Sequence, residues 1–581
     1  MDIFSFLSLV GGLAIFLFGM QVMGDGLEKR CGGKLKGILE SMTSSPIKGV
    51  LLGAGVTAII QSSSATTVMV VGFVNSGLMK LSQAIGVIMG ANIGTTVTAW
   101  LLSLTGVEGD NLFIQLLKPS SFSPILALIG IIFLMFFKGT KKEDSGMIML
   151  GFAVLMTGMD IMSNSVSGLA ESESFASLFT LFKNPLLGIL VGAVLTAIIQ
   201  SSSASVGILQ ALSVTGAISY SAAIPIILGQ NIGTCATALL ASIGTNKNAR
   251  RTAMAHLSFN IIGSTVFIIL FMIIKTVANL TFIDDPINAA GIAVVHTTFN
   301  CFATVLLLPF TKQLEKLAIL LVPDDNKKEE VSLLDERLFA TPAVAVNRAS
   351  QITAEMGQIA KDSLLKSLEM VYAYHEKDAQ FIRSEEKKVD VYEDQLGTYL
   401  VKLSRENLSS KDSDETSKIL HCIGDFERIS DHAVNILESA EEMRDKNLSF
   451  SAEALDGLHV MTDALTEIIG MAYDAFSQND LEKAKSIEPL EQIIDGLKIK
   501  LRDDHISRLQ RDECNIETGF VFSDLLTNME RVADHCSNIG VCILESSMGG
   551  FDTHEYLRRV KKSGENEFFE KFDEYKEKYE L

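Results

Sequence analysis

Long apolar stretches separated by short polar segments run through about the first 320 residues of the chain. A helix that crosses a lipid bilayer needs about 20 mostly apolar residues. Stretches of this kind predict seven spanning helices, at residues 4–23, 84–104, 124–137, 147–162, 222–243, 253–274 and 287–309. From about residue 341, apolar residues recur at helical spacing among charged ones, which predicts about six long amphipathic helices. The predicted fold class is all-α, with a polytopic membrane half followed by a soluble half.

Two further apolar regions, residues 46–77 and 185–216, are each interrupted by a polar tetrad. Their arms have roughly fifteen residues, which is too short for a full span. Both regions are therefore predicted to be re-entrant helical hairpins. The two tetrads share the sequence Gln-Ser-Ser-Ser and comprise Gln61, Ser62, Ser63, Ser64, Gln200, Ser201, Ser202 and Ser203.

The membrane half is an internal repeat with an offset of 139 residues. The offset relates the two tetrads, and it also relates Asn92-Ile-Gly-Thr95 to Asn231-Ile-Gly-Thr234. Repeat one covers about residues 1–140, repeat two about 145–245, and two further spans lie within 253–310. Interrupted helices in matched halves are typical of secondary transporters, where they meet near the bilayer midplane.

Clusters of Lys and Arg predict the orientation, because they concentrate in cytoplasmic loops. Such clusters lie at residues 29–48, 138–142, 247–251 and 312–328. With these loops inside, the N-terminus lies outside and the C-terminal domain is cytoplasmic, in a multi-pass protein of the plasma (inner) membrane. Repeat one has an odd number of full spans, so repeat two is expected to be inverted.

The apolar part and the amphipathic part of the chain also differ in net charge. Residues 1–322 carry a net charge of +3, whereas residues 323–581 carry −23. The acidic balance argues against nucleic acid as a partner. The seven Cys residues form no Cys-x-x-Cys pair, which predicts reduced thiols. No nucleophile–base constellation, phosphate-binding Gly-rich loop or zinc-spaced cluster is visible, so an enzyme is not expected.

The hairpin tips have the chemistry of an anion site. Helix N-termini present unpaired N–H groups and a partial positive charge, which favour an anion. Serine hydroxyls can donate hydrogen bonds to an oxyanion, and glutamine amides can donate or accept. Since the spans contain few Lys or Arg, neutral dipoles and co-bound cations must hold the anion.

Hydroxyl and carbonyl oxygens near the tetrads suit a small hard cation. The candidate cation ligands are Thr66, Asn92, Thr95, Ser205, Asn231 and Thr234. The alternative is that these residues join helices, as small and polar residues do in membranes. The motifs His256-x-x-Phe-Asn260 and His296-x-x-Phe-Asn300 also fit interhelical hydrogen bonding.

The soluble half repeats with an offset of 103 residues. A Glu and an Asp one helical turn apart occur in both copies, and a second acidic pair precedes each copy. Facing carboxylates on two helices can bind a divalent or trivalent metal. The alternative is a solvated face with an Arg–Asp pair in each copy. The candidate metal ligands are Glu427, Asp431, Glu530 and Asp534, with Glu386, Asp390, Glu491 and Asp495 as the preceding pairs.

The paired Gln-Ser-Ser-Ser motifs in an inverted repeat resemble the type II sodium/phosphate cotransporter family, in its bacterial branch, over about residues 1–315. The resemblance implies sodium-coupled uptake of inorganic phosphate, with Na+ as the coupled ion and the tetrads in the central site. The first tetrad continues Ala-Thr-Thr and the second Ala-Ser-Val, so the two half-sites are not equivalent.

The pattern Glu-Arg-Ile/Val-x-Asp-His-x-x-Asn-Ile resembles the PhoU family, the cytoplasmic regulators of phosphate uptake, over residues 340–545. The resemblance implies a pair of three-helix bundles, a cytoplasmic location, and metal clusters of a divalent or iron-type metal on an acidic Glu-x-x-x-Asp motif. The predicted domains are a transport domain at 1–321, a linker at 322–340, a PhoU-like domain at 341–545 and a charged tail at 546–581.

Two alternatives stand beside a sodium:phosphate symporter with a fused regulatory domain. The chain can be a phosphate sensor that transports little and signals to a cytoplasmic regulatory partner. It can also transport another small oxyanion, since neutral hydroxyl donors discriminate weakly. A homo-oligomer in the lipid bilayer is compatible with either.

Overall fold

The computed structural model describes residues 3–40, 45–106, 118–138, 141–168, 181–278, 281–323, 334–511, 513–548 and 566–580. The chain divides into two compact units, Met1–Val344 and Ala345–Leu581. The described residues form helices and connecting segments, with no β-strand among them. The all-α fold class is therefore confirmed.

The described residues of the first unit form long apolar helices and several shorter ones. Its α-helices, over the described residues, are α1 (Ile3–Glu40), α2 (Pro46–Ile60), α3 (Ser63–Asn75), α4 (Leu81–Ser103), α5 (Pro119–Phe136), α6 (Lys141–Ser167), α7 (Pro185–Ile199), α8 (Ser202–Ser213), α9 (Tyr220–Gly233), α10 (Cys235–Ala241), α11 (Lys247–Ala278), α12 (Ala289–Leu307) and α13 (Thr311–Leu321).

Within the described residues, seven helical stretches are long and apolar enough to cross a membrane. Each overlaps one of the predicted spans, so the polytopic membrane half is confirmed. The predicted span 222–243 differs in one respect, because it is divided between α9 and α10 at Thr234. The seven stretches are Ile3–Arg30, Leu81–Gly106, Pro119–Phe136, Lys141–Ser167, Tyr220–Ala241, Lys247–Val277 and Ala289–Leu321.

Helices α2 and α3 form the first hairpin, and α7 and α8 form the second. Each first arm begins at a proline, Pro46 or Pro185, whose missing N–H is tolerated in the first turn. Each ends at a glutamine in the left-handed region, and Gln61 and Gln200 have the same φ of 59° and ψ of 21°. A left-handed residue stops the helix, and the next helix starts two residues later. The Gln-Ser pair is therefore the turn of each hairpin.

Small residues let the first arm of each hairpin lie against the span that follows it. A Cβ added at Gly53 in α2 would come within 1.9 Å of the carbonyl oxygen of Val87 in α4. The matched Gly192 in α7 is equally close to α9, with 2.1 Å to the Ile226 carbonyl oxygen. The two repeats therefore share backbone-to-backbone packing as well as sequence.

The open ends of the two hairpins lie at opposite ends of the first unit. Asn75, at the end of the first hairpin, accepts hydrogen bonds from the backbone and side chain of Asn246, just before α11. Ile218, after the second hairpin, accepts a hydrogen bond from the Ile287 amide at 2.8 Å, just before α12. Helix α4 connects the two places, since it starts after the first hairpin and its end contacts the start of α12. This is the arrangement of an inverted repeat.

The second unit is built mainly from six long helices, as the helical spacing predicts. Ser409, Ser451 and Asp480 cap the third, fourth and fifth of these helices through their side-chain oxygens. The six helices form the predicted pair of three-helix bundles, α14 (Pro342–Met370), α15 (Glu376–Leu403) and α16 (Ser410–Asp445), then α17 (Ala452–Gln478), α18 (Leu481–Gln510) and α19 (Ile516–Met548).

The regions predicted as a linker and a charged tail are partly helical. In the linker, 324–333 lie outside the described residues, whereas Glu336–Ala340 form a 3-10 helix that belongs to the first unit. In the tail, 549–565 and 581 lie outside the described residues, and helix α20 (Asn566–Lys578) packs against α18.

Candidate functional site

The two serine tetrads meet inside the first unit. The hydroxyl oxygens of Ser63 and Ser202, which are related by the repeat offset, lie 3.5 Å apart. The hydroxyl of Ser64 donates to the backbone carbonyl of Gln200 at 3.2 Å. Ser63, Ser202 and Ser203 are buried, with at most 8% of their surface exposed. The structure therefore brings the turns of both hairpins to one place.

Each tetrad lies at the N-terminus of the second arm of its hairpin. Ser62 and Ser201 are the N-cap residues, and their hydroxyl oxygens accept hydrogen bonds from the amides of Ala65 and Ala204 at 3.1 and 3.2 Å. The first amides of α3 and α8 have no partner within their own helices. Two helix N-termini, each with partial positive charge, therefore point at a shared serine-lined region.

The two glutamines have different surroundings although their backbones match. Gln61 is 9% exposed, and its side-chain oxygen accepts a hydrogen bond from the Thr98 hydroxyl at 2.9 Å. The Gln61 amide group donates to the Ala58 carbonyl at 2.6 Å. Gln200 is exposed. The matched glutamines therefore differ in burial and in hydrogen bonding.

Two of the predicted cation ligands connect the arms of their hairpins. The Thr57 hydroxyl donates to Thr66 Oγ1 at 3.0 Å, and the Thr196 hydroxyl donates to Ser205 Oγ at 2.8 Å. Thr66 and Ser205 are fully buried. Their hydroxyl oxygens accept these hydrogen bonds and keep a second lone pair. These hydrogen bonds hold the two arms of each hairpin together.

The four polar residues of the Asn-Ile-Gly-Thr segments are buried and hydrogen-bonded mainly within their own helices. Asn231 and the two threonines donate to backbone carbonyls one turn back. Asn92 instead donates to the Asn260 side-chain oxygen in α11 at 3.3 Å. Asn260 belongs to the first His-x-x-Phe-Asn motif, so this contact is the interhelical hydrogen bond that the motif predicts.

Thr98 and Thr237 reach the tetrads and are missed by the sequence analysis. Thr98 contacts Gln61, as described above, and the Thr237 hydroxyl lies 3.5 Å from the Ser64 hydroxyl. The sequence does contain a signal for them, because the two threonines are related by the repeat offset of 139 residues. Each also lies one helical turn beyond a predicted cation ligand, Thr95 or Thr234. Threonines spaced by one helical turn share a helix face.

Two further glutamines are buried, Gln210 in the second arm of the second hairpin and Gln230 in α9. The Gln230 amide donates to the Ser205 carbonyl at 3.0 Å, and the Gln210 amide donates to the Ala99 carbonyl at 3.0 Å. Among the described residues, neither side-chain oxygen has a hydrogen-bond partner. Buried acceptors of this kind are available to a cation or a water molecule.

Among the described residues of the second unit, two clusters of three carboxylates lie close enough together to hold a metal ion. Within each, carboxylate oxygens lie within 4.8 Å of one another. Of the four predicted ligands, Asp431 and Asp534 belong to the clusters, and Glu427 and Glu530 lie beside them. The Lys498 amino group contacts Glu530 at 2.9 Å. The clusters are Glu386, Asp390 and Asp431, and Glu491, Asp495 and Asp534.

The clusters have the electrostatics of a cation site. Burial, and then the nearby carboxylates of Asp390 and Asp431, raise the pKa of Glu386. Burial, and then Glu530, raise the pKa of Asp495. A hard cation with oxygen ligands would relieve this repulsion. The Arg–Asp alternative is also present, since Arg428 and Asp431 are 3.4 Å apart.

Comparison with known proteins gives matches over both units. The family model described as Na+/Pi-cotransporter matches residues 15–164 and 154–299, and the PhoU domain model matches residues 353–440 and 458–543.

Three relatives illustrate the range of similarity. The chain is 24% identical over 560 residues to the putative inorganic phosphate export protein YjbB of Salmonella typhimurium, covering 95% of this chain and 99% of that protein. It is 31% identical over 312 residues to the uncharacterized protein YqeW of Bacillus subtilis, covering 54% of this chain and 96% of that protein. It is 37% identical over 99 residues to sodium-dependent phosphate transport protein 2A of Rattus norvegicus, covering 16% of this chain and 15% of that protein.

The family resemblance predicted from the paired tetrads and from the acidic repeat is therefore confirmed. The chain belongs to the Na+/Pi-cotransporter family and carries PhoU domains in its C-terminal half.

Proposed function

We propose that the protein is a sodium-coupled transporter of inorganic phosphate and that phosphate binds between the two serine tetrads. The observation that carries the proposal is the meeting of two helix N-termini, with the hydroxyls of Ser63 and Ser202 3.5 Å apart. Membership of the Na+/Pi-cotransporter family supports phosphate as the transported ion. Both hairpins are proposed to re-enter the bilayer and to meet near its midplane.

The tetrads bind the anion with neutral groups. The free amides at the starts of α3 and α8 donate hydrogen bonds to phosphate oxygens, and the serine hydroxyls complete the set. Gln61, held by Thr98 and by the Ala58 carbonyl, is positioned before phosphate arrives. Such preorganisation limits the entropy lost on binding.

Sodium offsets the charge of the bound phosphate. The proposed ligands are oxygens beside the tetrads, from Thr66 and Ser205 and from the Asn-Ile-Gly-Thr segments that contain Asn92, Thr95, Asn231 and Thr234. The unpartnered side-chain oxygens of Gln210 and Gln230 extend this set. The name of the rat relative, which describes sodium-dependent transport, supports sodium as the coupled ion.

The direction of net transport is proposed to be uptake driven by an inward sodium gradient. The relative from Salmonella is named a phosphate export protein, so the experiment below measures both directions. The N-terminus is proposed to lie outside and the PhoU-like unit in the cytoplasm, on the basis of the Lys and Arg clusters.

The PhoU-like unit is proposed to regulate transport and to bind a divalent or iron-type metal at its two acidic clusters. The close carboxylates and the raised pKa values of Glu386 and Asp495 support a cation there. A cytoplasmic regulatory partner and a homo-oligomer stay predictions.

Labelled-phosphate flux in proteoliposomes tests the proposal. We expect an inward sodium gradient to drive uptake that a potassium gradient does not drive, and an outward gradient to drive release of preloaded phosphate. The double variant Ser63→Ala/Ser202→Ala removes two serine hydroxyls that are proposed to donate to phosphate. Each hydrogen bond to a charged group contributes about 1.5–3 kcal/mol. The KM for phosphate should therefore rise at least tenfold.

The matched control is Ser121→Ala, which removes an exposed serine hydroxyl from α5. It should transport like the wild-type protein. Phosphate flux that does not depend on the sodium gradient would contradict the coupling. An unchanged KM for phosphate in the double variant would show that the tetrads do not bind phosphate. Phosphate binding without flux would instead favour the sensor, and stronger competition by sulfate or a carboxylate would favour another anion.

A further inference from the structure

A short segment after the apolar helices is buried within the first unit, although its sequence is that of a charged linker. Residues 334–341 include Asp335, Leu338 and Thr341, whose exposed fractions are 3%, 0% and 0%. The segment contacts α3, the second arm of the first hairpin. Burial of an aspartate in a linker calls for specific partners, because an unpaired buried charge is strongly unfavourable.

Asp335 binds the end of the first hairpin. The Asn75 amide group donates to Asp335 Oδ2 at 2.6 Å. The same Asn75 accepts a hydrogen bond from the Asn246 backbone amide at 2.8 Å, and its carbonyl accepts one from the Asn246 side chain at 2.8 Å. Asn75 therefore connects the segment, the first hairpin and the turn before α11.

Arg337 binds the C-terminal end of the second repeat. Its Nε donates to the Ala241 carbonyl at 2.6 Å and its Nη2 to the Ile243 carbonyl at 2.9 Å. These carbonyls lie at the C-terminus of α10, where helix carbonyls lack intrahelical partners and favour a cation. Its Nη1 also contacts Asp335 Oδ1 at 3.1 Å. One ion pair thus joins repeat one, through Asp335, to repeat two, through Arg337.

Gly72 in α3 makes room for this contact. A Cβ at position 72 would lie 3.1 Å from Leu338 Cδ2 and 3.5 Å from Arg337 Cβ. The absence of a side chain lets the segment lie directly on the hairpin, so the interface fits this segment in both shape and charge.

We propose that residues 334–341 are a clamp that holds this end of the transport unit closed, and that its release is needed for each transport cycle. The proposal rests on the proposed transport function. Alternating access requires the two repeats to move against each other around the central site. The clamp bonds to both repeats at the same end of the unit, so it opposes that movement. Helix α14 starts at Pro342 and continues into the second unit, so movement of α14 would act directly on the clamp.

A reversible disulfide tests whether the clamp must leave. A Cβ–Cβ distance of 3.5 Å suits a disulfide, so Gly72→Cys/Arg337→Cys should form one on oxidation. We expect oxidation to lower phosphate flux at least tenfold and a reductant to restore it. Each single variant, treated in the same way, controls for the native cysteines. Equal flux in the oxidised and reduced double variant would show a static support and would overturn the proposal.

A second measurement does not depend on transport, so it separates failure of the clamp from failure of the proposed function. Gly72→Cys is buried beneath the segment, and we expect its labelling by a membrane-impermeant maleimide to accelerate at least fivefold when Asn75→Asp places a carboxylate against Asp335. The double variant Asn75→Asp/Asp335→Asn exchanges the amide and the carboxylate between the two positions. It allows the hydrogen bond to form again, so the labelling should be slow again. Labelling that is equally fast in all three proteins would overturn the clamp, whatever the flux of the wild-type protein.

Discussion

The serine-lined site of the first unit and the acidic clusters of the second unit are both built from duplicated motifs, but with opposite chemistry. The first uses hydroxyls, amides and helix N-termini, as in the contact between Ser63 and Ser202. The second uses carboxylates whose pKa is raised by burial and then by one another's charge, as at Glu386. The first lies among apolar helices, whereas the clusters lie on partly exposed helix faces.

This difference teaches that the surroundings decide which groups can hold an ion. A fixed charge among membrane helices costs several kcal/mol without a partner. The proposed phosphate site must be empty for part of a transport cycle, so it would use dipoles rather than charges. A cluster near water can keep its charges between binding events, because water screens their repulsion. Moving a charge into the first site should therefore do more damage than removing one from the second.

The largest effect is expected from Ser63→Asp. The new carboxylate would lie beside Ser202 and would repel phosphate, and a charge among membrane helices costs about 2.5–3.5 kcal/mol, so flux should fall about 100-fold or more. The control is Ser63→Asn, which has almost the same size without the charge and should keep a clearly larger flux. Equal flux in the two variants, measured in proteoliposomes, would contradict a neutral anion site.

The next effect separates the two half-sites. Gln61→Ala removes a buried side chain that accepts from Thr98, whereas Gln200→Ala removes an exposed one. We expect Gln61→Ala to lower kcat/KM for phosphate about tenfold more than Gln200→Ala does, since leaving a buried partner unpaired costs about 1–3 kcal/mol. Equal losses in flux assays would indicate that the half-sites contribute equally.

A smaller effect is expected from the threonines that the sequence analysis missed. Thr98→Val leaves the Gln61 oxygen without its donor, and it should lower thermal stability in detergent by about 1 kcal/mol. Thr237→Val removes a hydroxyl that donates to the Thr234 backbone carbonyl at 2.9 Å and lies 3.5 Å from the Ser64 hydroxyl. No buried side-chain amide loses a short hydrogen bond, so this change should be nearly neutral. Equal melting temperatures for the two variants would show that Thr98 and Thr237 contribute equally to stability.

The smallest effect is expected from Asp534→Asn in the second unit. Burial and Glu530 raise the pKa of Asp534 above its ordinary value of 3.8, so its contribution to stability grows as pH falls through the raised pKa towards 3.8. The free energy of unfolding is measured from melting curves of the full chain in EDTA, at pH 7 and at pH 5. It should increase on acidification less in the variant than in the wild-type protein, and the difference should be less than about 1 kcal/mol.

The same variant tests the metal. Manganese should raise the melting temperature of the wild-type protein and have less effect on Asp534→Asn. Asp456→Asn, which removes an exposed carboxylate elsewhere in the unit, should respond like the wild-type protein. An identical response of all three proteins would show that the cluster does not bind the metal.

The sequence predicts the helices well because their signals are local. Apolar length gives the seven spanning helices, and the breaks near 376, 407, 445, 478 and 512 separate the six helices of the second unit. The repeat offset predicts that the tetrads correspond. Their contact required the structure, because Ser63 and Ser202 are 139 residues apart and meet only after the helices pack.

The parts that were missed depend on distant partners. The local sequence of Asp335 and Arg337 is charged and resembles a linker, and their partners Asn75 and Ala241 lie far away in the chain. For the acidic residues, the sequence predicts carboxylate pairs that face each other on two helices, and the structure brings Asp431 close to the preceding pair in α15. The sequence alone does not show that Glu427 and Glu530 lie beside the clusters, because that depends on how the helices pack.

The contact between the hairpin turns imposes an order on biosynthesis. Neither half of the first unit contains the complete site, since Ser63 contributes from one copy and Ser202 from the other. A nascent chain that has emerged only as far as α6 holds a hairpin whose counterpart has not yet been translated. The first hairpin must therefore wait in an unfinished state, and a ribosome that stalls between the copies should leave a product for membrane quality control to remove.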